Sequence, residues 1–188
     1  PKRVLVAGGG PAGMEAARVL AERGHRPELF ERTGCLGGNL LAAGAPPFKE
    51  DELALARWYE NELRRLEVPI HLNTTVDTEL AASGFDAVVI ATGSTAKTFS
   101  LGEGAPVCTA AHILTGQVPC GNRPVVVGGG LVGCETALWL AQGGKTVAIV
   151  EALDRLMAVN RPLCHANSEM LDRLIPFHGI QVLTGASV

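Results

Sequence analysis

Val4-Leu5-Val6-Ala7-Gly8-Gly9-Gly10-Pro11-Ala12-Gly13 opens a stretch that continues through an Ala- and Leu-rich segment to Arg23-Gly24 and closes at Glu28-Leu29-Phe30-Glu31. The apolar residues at each end read as short buried strands and the segment between them as a helix, so the unit is strand, glycine turn, helix, strand. The same unit returns 120 residues later. Gly8 becomes Gly128, Gly10 becomes Gly130, Gly13 becomes Gly133, and Glu15, Ala17, Leu20, Gly24 and Glu31 become Glu135, Ala137, Leu140, Gly144 and Glu151.

Each repeated position has a physical use. Gly8 and Gly128 permit the tight turn out of the strand, Gly10 and Gly130 let the backbone approach a pyrophosphate, and Gly13 and Gly133 let the helix lie close on the strand. The start of the helix, at Pro11-Ala12 and at Leu131-Val132, presents unpaired N–H groups and a partial positive charge to phosphate. Proline suits the first helical position because its missing N–H is not needed there. Glu31 and Glu151 each fall 18 residues past the last glycine, at the end of the second strand, where a carboxylate can accept hydrogen bonds from a ribose diol. A single glycine pattern of this kind is loose; two copies in one register point to two dinucleotide-binding units.

The remaining bounds agree with that reading. At 188 residues the chain would ordinarily make one domain or two small ones, and the repeat favours two. A hydrophobic content of 47% is high, yet no apolar run reaches the roughly 18 residues that span a bilayer. Parallel strands covered by Ala-rich helices account for it. A net charge of −3 with scattered Lys and Arg gives no basic face for nucleic acid. Five cysteines, odd in number and with no CxxC pair, point to a reducing, cytoplasmic compartment and exclude a dithiol redox centre. No histidine falls at a metal-ligand spacing, so no metal site is expected.

Between and beyond the two units the chain is less regular. Arg32 to Leu40 is too rich in glycine for a regular element, and either a cofactor-side loop or a plain turn fits it. Lys49 to Leu66 reads as a helix, Val68 to Leu72 and Asp86 to Ala91 as strands, the second running into Thr92-Gly93-Ser94. In a doubly wound sheet that order places Gly8–Gly13 and Ala91–Gly93 on one edge. Ser94 to Arg123 is the expected linker, with Thr109 capping a short helix. After Glu151 a polar stretch from Asp154 to Asn160 leads to a helix near Asn167–Leu174, ended by Pro176, and a strand at Gly179–Leu183. The expected domains are 1–118 and 119–188. The fold class is α/β, two Rossmann-like units with parallel sheets, both incomplete in this chain. The absence of an initiator Met and the short second unit suggest a piece of a longer protein, or a homo-oligomer whose sheet is completed by another copy.

These motifs, with Gly37-Gly38-Asn39-Leu40 and Val89-Ile90-Ala91-Thr92-Gly93-Ser94, resemble the two-dinucleotide-binding flavoproteins. Within them the chain is similar to the C-terminal part of the NADH:flavin oxidoreductases that include 2,4-dienoyl-CoA reductase, 2-enoate reductase and trimethylamine dehydrogenase. The resemblance implies that Gly8, Gly10, Pro11, Ala12 and Gly13 hold the pyrophosphate of FAD, or of ADP in some members, and that Glu31 and Arg32 stand at its ribose. Gly38, Asn39, Ala91, Thr92 and Gly93 would run beside the flavin, and Val76 would touch the adenine through its backbone. Gly128, Gly130, Leu131, Val132, Gly133 and Glu151 would hold NADH, with NADPH disfavoured because a carboxylate repels a 2′-phosphate. An FMN barrel with an iron–sulfur cluster is the implied N-terminal partner, outside this chain. The implied function is electron transfer from NADH through FAD to an FMN-containing alkene reductase centre; the alternative is an ADP-holding structural module that transfers no electrons. No catalytic residue is expected, since the cofactors carry the chemistry.

Overall fold

The computed structural model describes residues 1–98, 100, 102, 106–158 and 165–188. Asn160, the expected end of the polar stretch after Glu151, and Cys164, one of the five cysteines, lie outside the described residues. Two compact units divide the chain, Pro1–Lys97 and Thr98–Val188.

In the first unit, β1 (Arg3–Ala7), β2 (Arg26–Phe30), β3 (Ile70–His71) and β4 (Ala87–Ile90) form a fully parallel sheet in the order β3-β2-β1-β4. Helix α1 (Pro11–Glu22) makes the crossover from β1 to the parallel β2, and α3 (Glu50–Arg65) leads to β3. Because side chains alternate along a strand, Val6 and Leu29 face Met14, Ala17, Leu63 and Val68 on one side, while Leu5, Ala7 and Phe30 meet Val76, Leu80 and Phe85 on the other. The short α4 (Thr78–Ala81), capped by the Asp77 carboxylate, which accepts from the Leu80 N–H at 2.8 Å, supplies that second cover.

The second unit repeats the layout with β5 (Val125–Val127), α6 (Leu131–Gln142), β6 (Ala148–Val150), α7 (His165–Phe177) and β7 (Gln181–Leu183) in the parallel order β5-β6-β7. Val126 and Ile149 pack under Cys134, Ala137, Leu138, Leu171 and Ile175. The other sheet face is open, with Val125 60% and Leu183 50% exposed.

Four expectations need correction. Residues 106–118, expected to belong with the first unit, fall in the second, where Ile113 of α5 (Ala110–Leu114) packs on the second core. The Gly-rich loop is followed at once by a short helix, α2 (Asn39–Ala43), because Leu40 and Leu41 turn back toward the Gly37-Gly38 carbonyls. Pro176 does not end α7; standing in the last turn, it forfeits only its own bond, and the His178 N–H still donates to Leu174 O at 3.0 Å. The polar stretch after Glu151 carries two packed residues, Leu156 and the buried Met157. The Thr109 cap forms as expected, its hydroxyl accepting from the His112 N–H at 3.3 Å.

In both units the helix touches the turn it leaves. A Cβ at Gly13 would stand 1.8 Å from Gly8 O, and one at Gly133 would stand 1.9 Å from Gly128 O. Neither oxygen can retreat, since each belongs to the strand's continuation. Gly133→Ala is therefore expected to push α6 off β5 and destabilise the protein by about 1–3 kcal/mol in urea denaturation. Gly121→Ala, with no described atom within 4 Å of the added carbon, should stay within about 0.5 kcal/mol.

Candidate functional site

The carboxyl ends of the strands gather the expected residues of the first unit. Gly8 leaves β1 with φ 111°, and its missing Cβ would stand 2.3 Å from Ala91 O and 3.1 Å from the Thr92 Cα. Only glycine fits that conformation against that neighbour. The Ala91 N–H donates to Ala7 O at 2.8 Å, so the β4 end and the glycine turn are one edge. On the turn's other flank Gly38 comes close, a Cβ there standing 2.9 Å from the Gly10 Cα. Asn39 follows, exposed, at the first position of α2.

Gly10 and Gly130 differ in kind from the glycines on either side. Their backbone is extended, φ −77° and −72°, so any residue could adopt it. A Cβ at Gly10 would approach only the Gly38 Cα, at 4.0 Å, and at Gly130 no described atom lies within 4 Å. The protein's own packing does not require glycine at either position. Neither α1 nor α6 has a side chain capping its first turn, and neither has an acid there. The N–H groups of Ala12 and Gly13, and of Leu131, Val132 and Gly133, precede the first intrahelical bonds, which Met14 and Cys134 make to Gly10 O and Gly130 O, and form a cradle that fits a pyrophosphate.

Behind each turn stands its acid. Glu31, buried, accepts from the Gly9 N–H at 2.6 Å through Oε2, and through Oε1 from the Thr33 N–H and hydroxyl, both at 2.8 Å. Burial pushes its pKa up, but these bonds and the nearby Arg32 guanidinium outweigh it and hold the carboxyl below its ordinary range. Glu151 accepts from the Leu153 N–H at 2.8 Å and the Gly129 N–H at 2.5 Å, and these backbone bonds likewise lower its pKa. Each acid keeps a lone pair free for a further donor.

Two expected contacts are arranged differently from the rest. Val76 sits two residues past Thr74, whose N–H donates to Glu31 O at 2.9 Å, but its side chain belongs to the cluster on the opposite sheet face. Arg32 is exposed and acts on Glu31 through charge alone.

Sequence reasoning passed over the residues that brace the turns. Gly9 and Gly129 give the N–H groups that the acids bind. A Cβ at Gly9 would stand 2.5 Å from Leu36 Cδ2, and one at Gly129 would stand 2.4 Å from Leu156 Cδ2. The Gly37 N–H donates to Gly9 O at 2.9 Å, and the Met157 N–H donates to Gly129 O at 2.7 Å. All of these pairs keep the 120-residue offset, so following the repeat past the acids finds them.

The thiols show no pairing among the described residues: Cys35 and Cys108 are exposed and Cys134 is buried. Cys134 donates to Gly129 O at 3.3 Å, and burial pushes its pKa up to about 12. No described group of His, Cys, Asp and Glu could hold a metal ion, and no described helix is long and apolar enough to cross a membrane.

Residues 2–188 match the family model described as pyridine nucleotide-disulphide oxidoreductase. Similar sequences include a cinnamate reductase from Clostridium sporogenes, 48% identical over 96% of this chain and 27% of the relative, and an NADH oxidase from Thermoanaerobacter brockii, 40% identical over 100% and 29%. Among solved structures, a 2-naphthoyl-CoA reductase bound to 2-naphthoyl-CoA superposes with a TM-score of 0.88 at 27% identity, covering 100% of this chain and 28% of that one. The chain thus spans less than a third of the length of these relatives.

Thiolate fraction and access govern alkylation. Iodoacetamide at neutral pH, followed by mass spectrometry, should label Cys35 and Cys108 in the folded protein, and Cys134 only after denaturation.

Proposed function

The chain belongs to the pyridine nucleotide-disulphide oxidoreductase family, and on that premise we propose that it is the electron-transfer module of a flavin-dependent reductase, with FAD in its first unit and NADH in its second. One observation carries this reading: twice in the chain, a glycine turn opens an uncapped helix N-terminus onto empty space and has a carboxylate behind it.

When bound, the nicotinamide and the flavin supply the hydride and electron chemistry. The chain's own residues bind and orient. Backbone N–H groups at Ala12–Gly13 and Leu131–Gly133 take the phosphates, and Gly10 and Gly130 leave room for them. Glu31 and Glu151 accept ribose hydroxyls with the lone pairs their backbone donors leave free. Gly38, Asn39 and Ala91–Gly93 line the flavin side of the first unit. A carboxylate at Glu151 welcomes a 2′-hydroxyl and repels a 2′-phosphate, which favours NADH over NADPH. No side chain has to act as an acid or base.

Relatives named cinnamate reductase and NADH oxidase, each more than three times as long as this chain, support placing it in a larger reductase. In that protein the electrons would pass on to an FMN centre that reduces an activated alkene, with an iron–sulfur cluster in the same N-terminal barrel.

The test is spectroscopic. The purified chain with added FAD should show a flavin band near about 450 nm that bleaches on anaerobic addition of NADH, and more slowly with NADPH. Binding of ADP or NADH without any flavin band would replace electron transfer by a structural, nucleotide-holding role. The turn itself has a sharper test: Gly130→Ala, which loses a glycine N-cap, should cost no more than about 1 kcal/mol of stability but weaken NADH binding at least about tenfold in titration calorimetry.

A further inference from the structure

The acid behind each turn does more than wait for a ribose. We propose that Glu151, and Glu31 in the first unit, is a positioning residue that holds the glycine turn in its nucleotide-binding shape before any ligand arrives. This inference rests on reading the second turn as a pyrophosphate site.

The middle glycine of each turn is held on three sides. Its N–H is taken by the acid, at 2.5 Å for Gly129 and 2.6 Å for Gly9. Its carbonyl accepts the Met157 N–H at 2.7 Å or the Gly37 N–H at 2.9 Å. Its open face is filled by Leu156 or Leu36, whose Cδ2 stands where a Cβ would be. The carbonyl of Gly129 and the N–H of Gly130 share one planar peptide and point in opposite directions. Holding that carbonyl against the loop after Glu151 therefore aims the Gly130 N–H away from the loop. The acid completes the arrangement from the other peptide of Gly129, and its second oxygen anchors the same loop through Leu153 at 2.8 Å. One carboxylate thus ties the turn to the loop that braces it. The geometry occurs twice, on different surroundings, with Thr33 in one loop and Leu153 in the other.

Glutamine is the informative replacement. Its carbonyl can serve one of the two backbone donors, but its NH2 group must face the other, so one bond becomes a donor–donor clash. NADH and an NADH analogue carrying 2′,3′-dideoxyadenosine should be titrated into the chain and its Glu151→Gln variant. If Glu151 holds the turn, the variant loses about tenfold in affinity for the analogue as well, although the analogue has no hydroxyl for the acid to bind. Equal binding of the analogue by both proteins would confine Glu151 to the ribose and overturn the proposal. If the unaltered chain binds neither ligand, the nucleotide reading fails instead, and the positioning role is decided without ligand. In the unaltered chain the Gly129 and Leu153 amide resonances should shift together as acid protonates one carboxylate, and Gly129 should be protected from hydrogen exchange. Independent titration of the two amides, or fast exchange at Gly129, would also overturn it.

Discussion

The approach of a helix to the carbonyl of the turn that precedes it is the constraint on which both units depend. At Gly13 and Gly133 a single carbon would overlap the oxygen of Gly8 or Gly128, so α1 and α6 reach their strands only because nothing is there. That closeness lets Met14 and Ala17, or Cys134, Ala137 and Leu138, sink fully into the sheet. It also fixes where the first helical turn begins. In each unit the uncapped N–H groups then stand at the carboxyl edge of that unit's own sheet, and the candidate site is a by-product of the packing that makes the fold.

Much of this was legible because it is local. A strand, a glycine turn and a helix are encoded within about ten residues, and the acid lies a fixed chain length beyond. The Thr109 cap was equally local. The failures share the opposite property. Pro176 is read as a helix end by its own chemistry, yet the bond it forfeits is a single one in a final turn that Leu174 and Ile175 anchor in the core. Leu36 and Leu156 look like loop residues until the loop folds back over the glycine, a contact no short pattern contains. Gly9 and Gly129 were passed over because the pattern leaves that position free, whereas here packing and a hydrogen bond both occupy it. The segment before β5 was read as a linker on its Gly and Pro content, and the apolar side of α5 decided otherwise.

The acids show how a charge can be half-buried at small cost. Glu31 has little access to water, but two backbone donors and a hydroxyl replace the water it gives up, so it stays ionised. Glu151 does the same with backbone donors alone. An ionised carboxylate with a spare lone pair can accept a hydroxyl and repels another anion.

The two units part company just beyond the acid. In the first, Gly37 takes φ 113°, a conformation that residues with a Cβ rarely adopt, and the loop continues through Gly38 past Gly10. In the second, Met157 makes the same bond to the middle glycine from a left-handed φ of 54°. For a residue with a Cβ that conformation costs roughly 1–2 kcal/mol. Burying the methionine side chain, 9% exposed against the second core, returns a similar or larger amount, about 1.5–3 kcal/mol. The second loop therefore spends its residue on the core, and the first spends it on leaving space beside the turn. One motif, used twice, acquires two different neighbours beside its turn through a single exchange of glycine for a packed side chain.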